Sequence, residues 1–286
     1  MTLYSVGGFK LGFVCAQMLP RRCTQWLAPR VALALYRRQP SVQAALRANL
    51  ARVTGLDGAA LETLCAENVT NFGRMLADYF LCVGIDAGAR ASSLLDEWSG
   101  REHLAHGTIV VTAHLGHGEL GGILLAQLGL PMTVVTLEEP STELTRWRDA
   151  FRRHLGIRTV AVGPGREFAF VELIQTLRQG GCVAMLVDRP YAGSGTPVDF
   201  FGARAEFSTA PALLAHHTGA AVVPAFTLLN ERGRYTAFAE PPIAMQRERG
   251  ARSGLAENTQ RIAASFESIV RRHPEQWFNY TPIWPN

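Results

Sequence analysis

From Thr108 onward the chain alternates short apolar, β-branched runs with amphipathic segments, and that rhythm admits few folds. The runs are TIVVTA, MTVVTL, GIRTVAV, GCVAMLV and AAVVPAF, and segments 141–155, 166–179 and 208–218 lie among them with apolar residues at helical spacing. Strands separated by helices read as βαβ crossovers, which generate parallel pairing. Arg234 to Phe238 adds a late strand and Ser253 to Arg272 a helix. The expected fold is α/β: a mixed, largely parallel central sheet flanked by helices, with a helical N-terminal region.

The first ninety residues have a different texture. Ser41 opens a helical pattern (Val42, Ala45, Leu46, Leu50) as an N-cap would, and Gly55 closes it. A longer pattern runs from about Ala59 to Val83, with Leu61, Leu64, Val69, Phe72, Leu76 and Phe80 in step. There is no internal repeat, no low-complexity tract and no long linker. One domain over 1–286 is expected, with a helical, membrane-proximal part at 1–90 and an α/β core at 105–286.

Charge is distributed unevenly. Met1 to Leu56 contains no Asp or Glu, yet carries Lys10, Arg21, Arg22, Arg30, Arg37, Arg38, Arg47 and Arg52. The apolar stretch LYSVGGFKLGFVCAQMLP is about 18 residues long with three glycines and a closing proline, marginal for a membrane span. A signal peptide would need a charged start and a small-residue cleavage site, and neither is clear. An interfacial helix with arginines at the lipid headgroups fits better. The alternative is a helix packed on the domain with a solvated basic face. Nucleic acid is the weakest partner, since no aromatic interleaving or known motif accompanies the cations. Five widely spaced cysteines, with no CxxC, read as reduced thiols of a cytoplasmic protein.

Three stretches could carry chemistry. In VVTAHLGHGELGG, His114 sits at the carboxyl end of a buried strand, where open α/β sheets place ligands. Gly116 and Gly118 permit a tight turn that folds Glu119 back toward His114, giving a general base and a carboxylate that fixes its tautomer. A structural histidine beside a capping glutamate is the bland alternative, and a metal site of His114, His117 and Glu119 is another. TRWRDAFRRHLGIR, Thr145 to Arg158, holds five arginines, either as a solvated helix face or as a phosphate clamp. In VDRPYAGSGTPVDFFG, Asp188 and Arg189 end another apolar strand, a flexible Gly-Ser-Gly loop follows, and Phe200 and Phe201 read as core more readily than as ligand wall.

AHLGHGELGG resembles the His-x4-Glu/Asp motif of the lysophospholipid acyltransferase superfamily, in the form used by the late acyltransferases of lipid A biosynthesis. RRHLGIR resembles that family's arginine-bearing second motif, VDRPYAGSGTPVDFFG its Asp-centred loop, and TGAAVVPAF the strand that follows. ENVTNFGRMLADYF and PEQWFNY also look like family segments. The resemblance implies transfer of a fatty acyl group from a thioester of acyl carrier protein or coenzyme A to a hydroxyl of a membrane lipid, with a lipid A precursor ranked ahead of other lysolipids and glycolipids. It implies His114 as general base, Glu119 as its partner, Arg153 on the acceptor's phosphate or the oxyanion, and Asp188 and Arg189 beside the substrate. Arg189 stands where the family often has glutamine, and His117 and Gly118 where it more often has Asn and Trp.

Such chemistry needs a base, oxyanion donors and a dry site, without metal or organic cofactor. The absence of a Gly-x-Ser-x-Gly elbow argues against a covalent serine. The implied location is the cytoplasmic face of the inner membrane, held peripherally or by a single N-terminal anchor. Two rivals are a noncatalytic lipid-binding homologue and a metal-dependent hydrolase.

Overall fold

The computed structural model describes residues 6–83, 86–137, 141–163, 165–166, 168–190, 193–246 and 251–284. Leu3 to Ser5 of the apolar stretch and Tyr191–Ala192 of the third motif lie outside them. The N-terminal part consists of α1 (Val6–Met18), α2 (Arg21–Tyr36), α3 (Pro40–Thr54) and α4 (Gly58–Cys82), followed by α5 (Ala87–Leu94). The rest runs β1 (Leu95–Ser99), β2 (Ile109–Thr112), α6 (Gly118–Gln127), β3 (Met132–Leu137), α7 (Thr142–His154), β4 (Arg158–Val162), α8 (Ala169–Arg178) and β5 (Cys182–Leu186). It closes with β6 (Gly195–Phe200), β7 (Ala203–Ser208), α9 (Ala210–Thr218), β8 (Val222–Leu229), β9 (Tyr235–Ala239) and α10 (Ala251–Arg272).

Among the described residues, seven strands form one sheet in the order β1-β9-β8-β2-β5-β3-β4. Every neighbouring pair is parallel except β8 and β9. The fold is therefore the expected α/β one with a helical N-terminal region. Because side chains alternate along a strand, Ile109 and Val111 enter the large core with Leu173, Leu214 and Phe266, while Val110 joins Leu125 and Met132 on the other face. Both faces of β2 are covered, so its continuous apolar run is what a buried parallel strand requires.

Two local expectations are corrected. Ser41 is not the cap of α3: the helix begins at Pro40, whose fixed φ suits the first helical position, and Gln39 precedes it without a capping side-chain bond. Gly55 does end it, at φ 71°. The Gly-Ser-Gly loop is shorter than expected: Gly195 already opens β6, which pairs antiparallel with β7 around Phe201 and Gly202, at φ 53° and 69°. Val198, Phe200, Ala205 and Phe207 are buried while Asp199, Arg204 and Glu206 are exposed, the alternation of a half-buried hairpin. Phe200 is core, stacked on Trp284 at 5.9 Å.

The N-terminal helices are bolted to this body. Gly73 of α4 lets α2 approach so closely that a Cβ there would lie 2.9 Å from the Ala28 carbonyl oxygen. Phe9 of α1 packs edge-on against Phe80 of α4 and Trp147 of α7 at 5.3 and 6.3 Å. Asp78, fully buried, accepts from Arg21 Nε and Nη2, both at 2.8 Å, and from the Tyr235 hydroxyl at 3.0 Å. One carboxylate thereby joins α2, α4 and β9. Arg21 is thus a structural residue, withdrawn from the basic set that the N-terminus could turn to a lipid surface.

Removing one member of a buried ion pair costs on the order of 3 kcal/mol, because the other is left uncompensated. Asp78→Ala and Arg21→Ala are each expected to lower the unfolding free energy by about that amount, and the double variant by less than the two together. Denaturant unfolding of the cycle checks this, and strict additivity would show that the pair is not coupled.

Candidate active site

The sheet's register assembles the site. In the parallel β2–β5 pair Thr112 lies opposite Leu186, so two residues further on His114 comes opposite Asp188. These are the carboxyl ends of adjacent strands from which the chain departs in opposite directions, toward β3 after β2 and toward β8 after β5. Open α/β sheets form their crevice at such a switch point.

His114 Nδ1 lies 2.7 Å from Asp188 Oδ1, and the His114 backbone N–H donates to the same carboxylate at 3.0 and 3.1 Å. Burial alone would raise the Asp188 carboxyl. The charge and hydrogen bond of His114 outweigh it, with help from the Arg189 charge and the Asn279 amide, and hold the group well below the usual carboxylate range. An ionised carboxylate only accepts, so Nδ1 carries a proton and, in the neutral ring, the lone pair belongs to Nε2. Arg189 Nε, 3.3 Å from the same Nδ1, adds positive charge rather than a second hydrogen bond. His114 keeps 23% of its side chain exposed, and Asp188 1%.

Glu119 goes elsewhere. The expected fold-back onto His114 is replaced by Asp188, while Glu119 Oε1 accepts from Arg148 Nη2 at 2.7 Å and from Arg152 Nη2, and Oε2 accepts from Arg152 Nε at 3.3 Å. The cause is geometric. Glu119 stands in the first turn of α6, and residues 148 and 152 of α7 are four apart, so both guanidinium groups share one helix face. Burial would raise the Glu119 carboxyl, but Arg152 and Arg148 overcome it and lower it to about 2. Arg153, one residue on, is exposed, its Nε 3.3 Å from the Asp149 carbonyl oxygen.

The turn between strand and helix is tightly specified. Gly116 has φ 68°, and a Cβ there would fall 2.2 Å from the Thr227 carbonyl oxygen. His117 is buried, its Nδ1 capping α6 by accepting from the Leu120 N–H at 3.2 Å. Desolvation lowers its imidazole to about 4, so it is neutral at physiological pH. Among the described residues no group of three His, Cys, Asp or Glu side chains is placed to share a metal ion.

His114, Glu119, Arg148, Arg152 and Arg189 border a cavity of about 1400 Å³. Most of its wall is apolar, including Val135, Phe170, Leu173, Met185 and Leu213. A strap after α10 completes the site from below. Gly116 N–H donates to the Gln276 carbonyl at 2.9 Å and Phe278 N–H to the His114 carbonyl at 2.7 Å, so the strap runs alongside the motif. Trp277 Nε1 and Asn279 Nδ2 then donate to Asp188 Oδ2 at 3.0 and 2.8 Å. The segment PEQWFNY suggested no role for either residue; a Trp and an Asn two apart, which an extended segment turns to one side, were its one hint.

The family model described as "Bacterial lipid A biosynthesis acyltransferase" matches residues 8–285. The chain belongs to this family. It is 30% identical over 248 residues to the phosphatidylinositol mannoside acyltransferase of Mycobacterium tuberculosis (strain ATCC 25618 / H37Rv), covering 84% of this chain and 76% of that one. The protein of the same name from Mycolicibacterium smegmatis (strain ATCC 700084 / mc(2)155) is 26% identical over 283 residues, covering 96% and 90%. The protein is an acyltransferase, and the cavity bordered by His114 is its candidate site.

The Glu119 carboxyl is depressed in the folded acyltransferase, so its ion pairs stabilise above the unfolded value of 4.5 and are lost as pH falls toward about 2. Glu119→Gln, which mimics the protonated acid, should be less stable than the parent at pH 7, with the gap closing through that acid window. Unfolding free energies measured across pH test this; a gap independent of pH would contradict it.

Proposed function

We propose that this acyltransferase moves a fatty acyl chain from a thioester to a hydroxyl of a glycolipid at a membrane surface, with His114 as general base. The observation that carries the reading is the His114–Asp188 pair at the border of a largely apolar cavity. His114 Nε2 takes the proton of the acceptor hydroxyl, whose oxygen attacks the thioester carbonyl. The tetrahedral intermediate then expels the thiolate, which takes the proton back from the imidazolium. Asp188 fixes the tautomer and balances the imidazolium charge. Arg189, beside His114 and on the cavity wall, is the cation placed for the oxyanion or an acceptor phosphate. Glu119 acts through Arg148 and Arg152, holding them at the cavity, and Arg153 would meet only groups outside it.

The two mycobacterial relatives are named for a glycolipid acceptor, which supports a sugar-bearing lipid here; a lipid A precursor belongs to the same chemical class. The donor is acyl carrier protein or coenzyme A thioester. For the membrane, no helix of the described residues is long and apolar enough to cross. At 1.5 Å per residue the 13 residues of α1 reach about 20 Å, short of a hydrocarbon core of about 30 Å. Instead α1 exposes Leu11, Val14 and Met18 at 60, 48 and 78%, and α2 exposes Trp26, Leu27 and Val31. Arg22, Arg37 and Arg38 are exposed nearby. Apolar side chains with flanking cations suit peripheral insertion at an anionic leaflet, which on this reading is the cytoplasmic face of the inner membrane.

The decisive assay offers purified enzyme acyl carrier protein and coenzyme A thioesters with a phosphatidylinositol mannoside, a lipid A precursor and a lysophospholipid. His114→Ala and Asp188→Asn should each lower turnover by roughly 10² to 10⁴ while the protein stays folded, and the losses should not multiply. Parental turnover in folded His114→Ala would refute the base.

Vesicle co-sedimentation tests the surface. Leu11→Ser with Trp26→Ser should reduce binding at any salt, while Arg22→Glu with Arg38→Glu should reduce it on anionic vesicles at low salt only. Equal binding by all forms would place the membrane contact elsewhere.

A further inference from the structure

The strap donors serve one group. Trp277 and Asn279 are fully buried, and both side chains direct their N–H toward Asp188 Oδ2. The other atom of the Asn279 amide, Oδ1, has no hydrogen-bond partner among the described residues. Turning the amide over would set that oxygen against a carboxylate, so the orientation is dictated by Asp188. The strap itself is fastened from the helical part. Asn68 Nδ2 donates to the carbonyls of Pro274 and Trp277, both at 3.0 Å, and Asn49 Nδ2 to those of Asn279 and Thr281 at 2.9 and 2.8 Å. Tertiary contacts from α3 and α4 thus reach Asp188 through two uncharged donors. The charged groups that face the carboxylate are His114 and Arg189.

We infer that Trp277 and Asn279 are positioning residues for acyl transfer, fixing Asp188 ionised and aimed at His114 Nδ1 so that Nε2 is presented as the base. The inference rests on the proposed role of His114. Each donor neutralises part of the carboxylate's charge. Withdrawing one leaves more of that charge to stabilise the imidazolium, so the free base form of His114 appears at higher pH.

The test is the pH profile of kcat/KM for purified full-length protein with an acyl-thioester donor and the best acceptor of the panel above. Asn279→Leu, nearly isosteric, and Trp277→Phe, which keeps a ring in the core, should each move the acid limb upward by about one pH unit. Each should also lower kcat by roughly tenfold at neutral pH, with KM for the thioester little changed. Asn279→Ser, retaining a short donor, should shift the limb less than Asn279→Leu does. If Asn279→Leu does not fold, Trp277→Phe carries the measurement. An acid limb that stays at the parental pH while only the amplitude falls would reduce both residues to packing and overturn the inference. That result, with His114→Ala inactive, would leave the general base standing; an active His114→Ala would remove both.

Discussion

A buried carboxylate is tolerable only where donors surround it, and the site is built around that demand. Asp188 leaves the end of β5 with 1% exposure, and it is met from three directions. The neighbouring strand end brings the His114 backbone and imidazole, the strap brings an indole and an amide, and the next residue, Arg189, adds the charge of a guanidinium that lies against the imidazole. None of these elements could shift far without leaving charge unpaired in a medium of low dielectric. The geometry proposed to serve the chemistry is therefore also what makes this corner of the core stable.

The strands and helices of the catalytic body could be read from the residues because each is written in a local period. Ile109, Val110 and Val111 announce a buried strand by themselves, and the apolar residues of 141–155 announce a helix. The partner of His114 could not be read in this way. It depends on which strand lies beside β2, a fact stored in contacts 74 residues apart. Glu119, close in sequence, was the natural candidate, but the α6 helix turns its carboxylate to α7, where Arg148 and Arg152 await it. Their four-residue spacing was the available signal, since it puts two cations on one face with a need for an acid. Asp188 too was visible as an acid at a strand end; what was missing was register. The β6–β7 hairpin escaped because Gly-Ser-Gly and Phe-Phe-Gly dominate its ends, hiding the alternation of Val198, Phe200, Ala205 and Phe207.

The basic N-terminus shows how net charge misleads when it is counted before contacts are known. Lys10 pairs with Glu143, Arg21 with Asp78 and Arg47 with Glu62, and the Arg30 and Arg52 guanidinium groups lie over the Trp26 and Trp284 rings. The acids absent from the first segment are supplied by later ones. Its cationic excess is in part an internal adhesive, and α1, wedged against Trp147, touches the same helix that carries Arg148 and Arg152.

The strap gives the site a history as well as a shape. Asp188 meets Asn279 at a separation of 91 positions along the chain, and Asn49 meets Thr281 at a separation of 232. Loop closures of that span come late in folding, after local helices and hairpins have formed. A nascent chain that has already built the sheet still lacks the two donors beneath its carboxylate until the stretch beyond α10 has left the ribosome. On the proposed reading competence arrives only with that closure, and a chain that had not yet made it would hold the cavity with His114 not yet set as base.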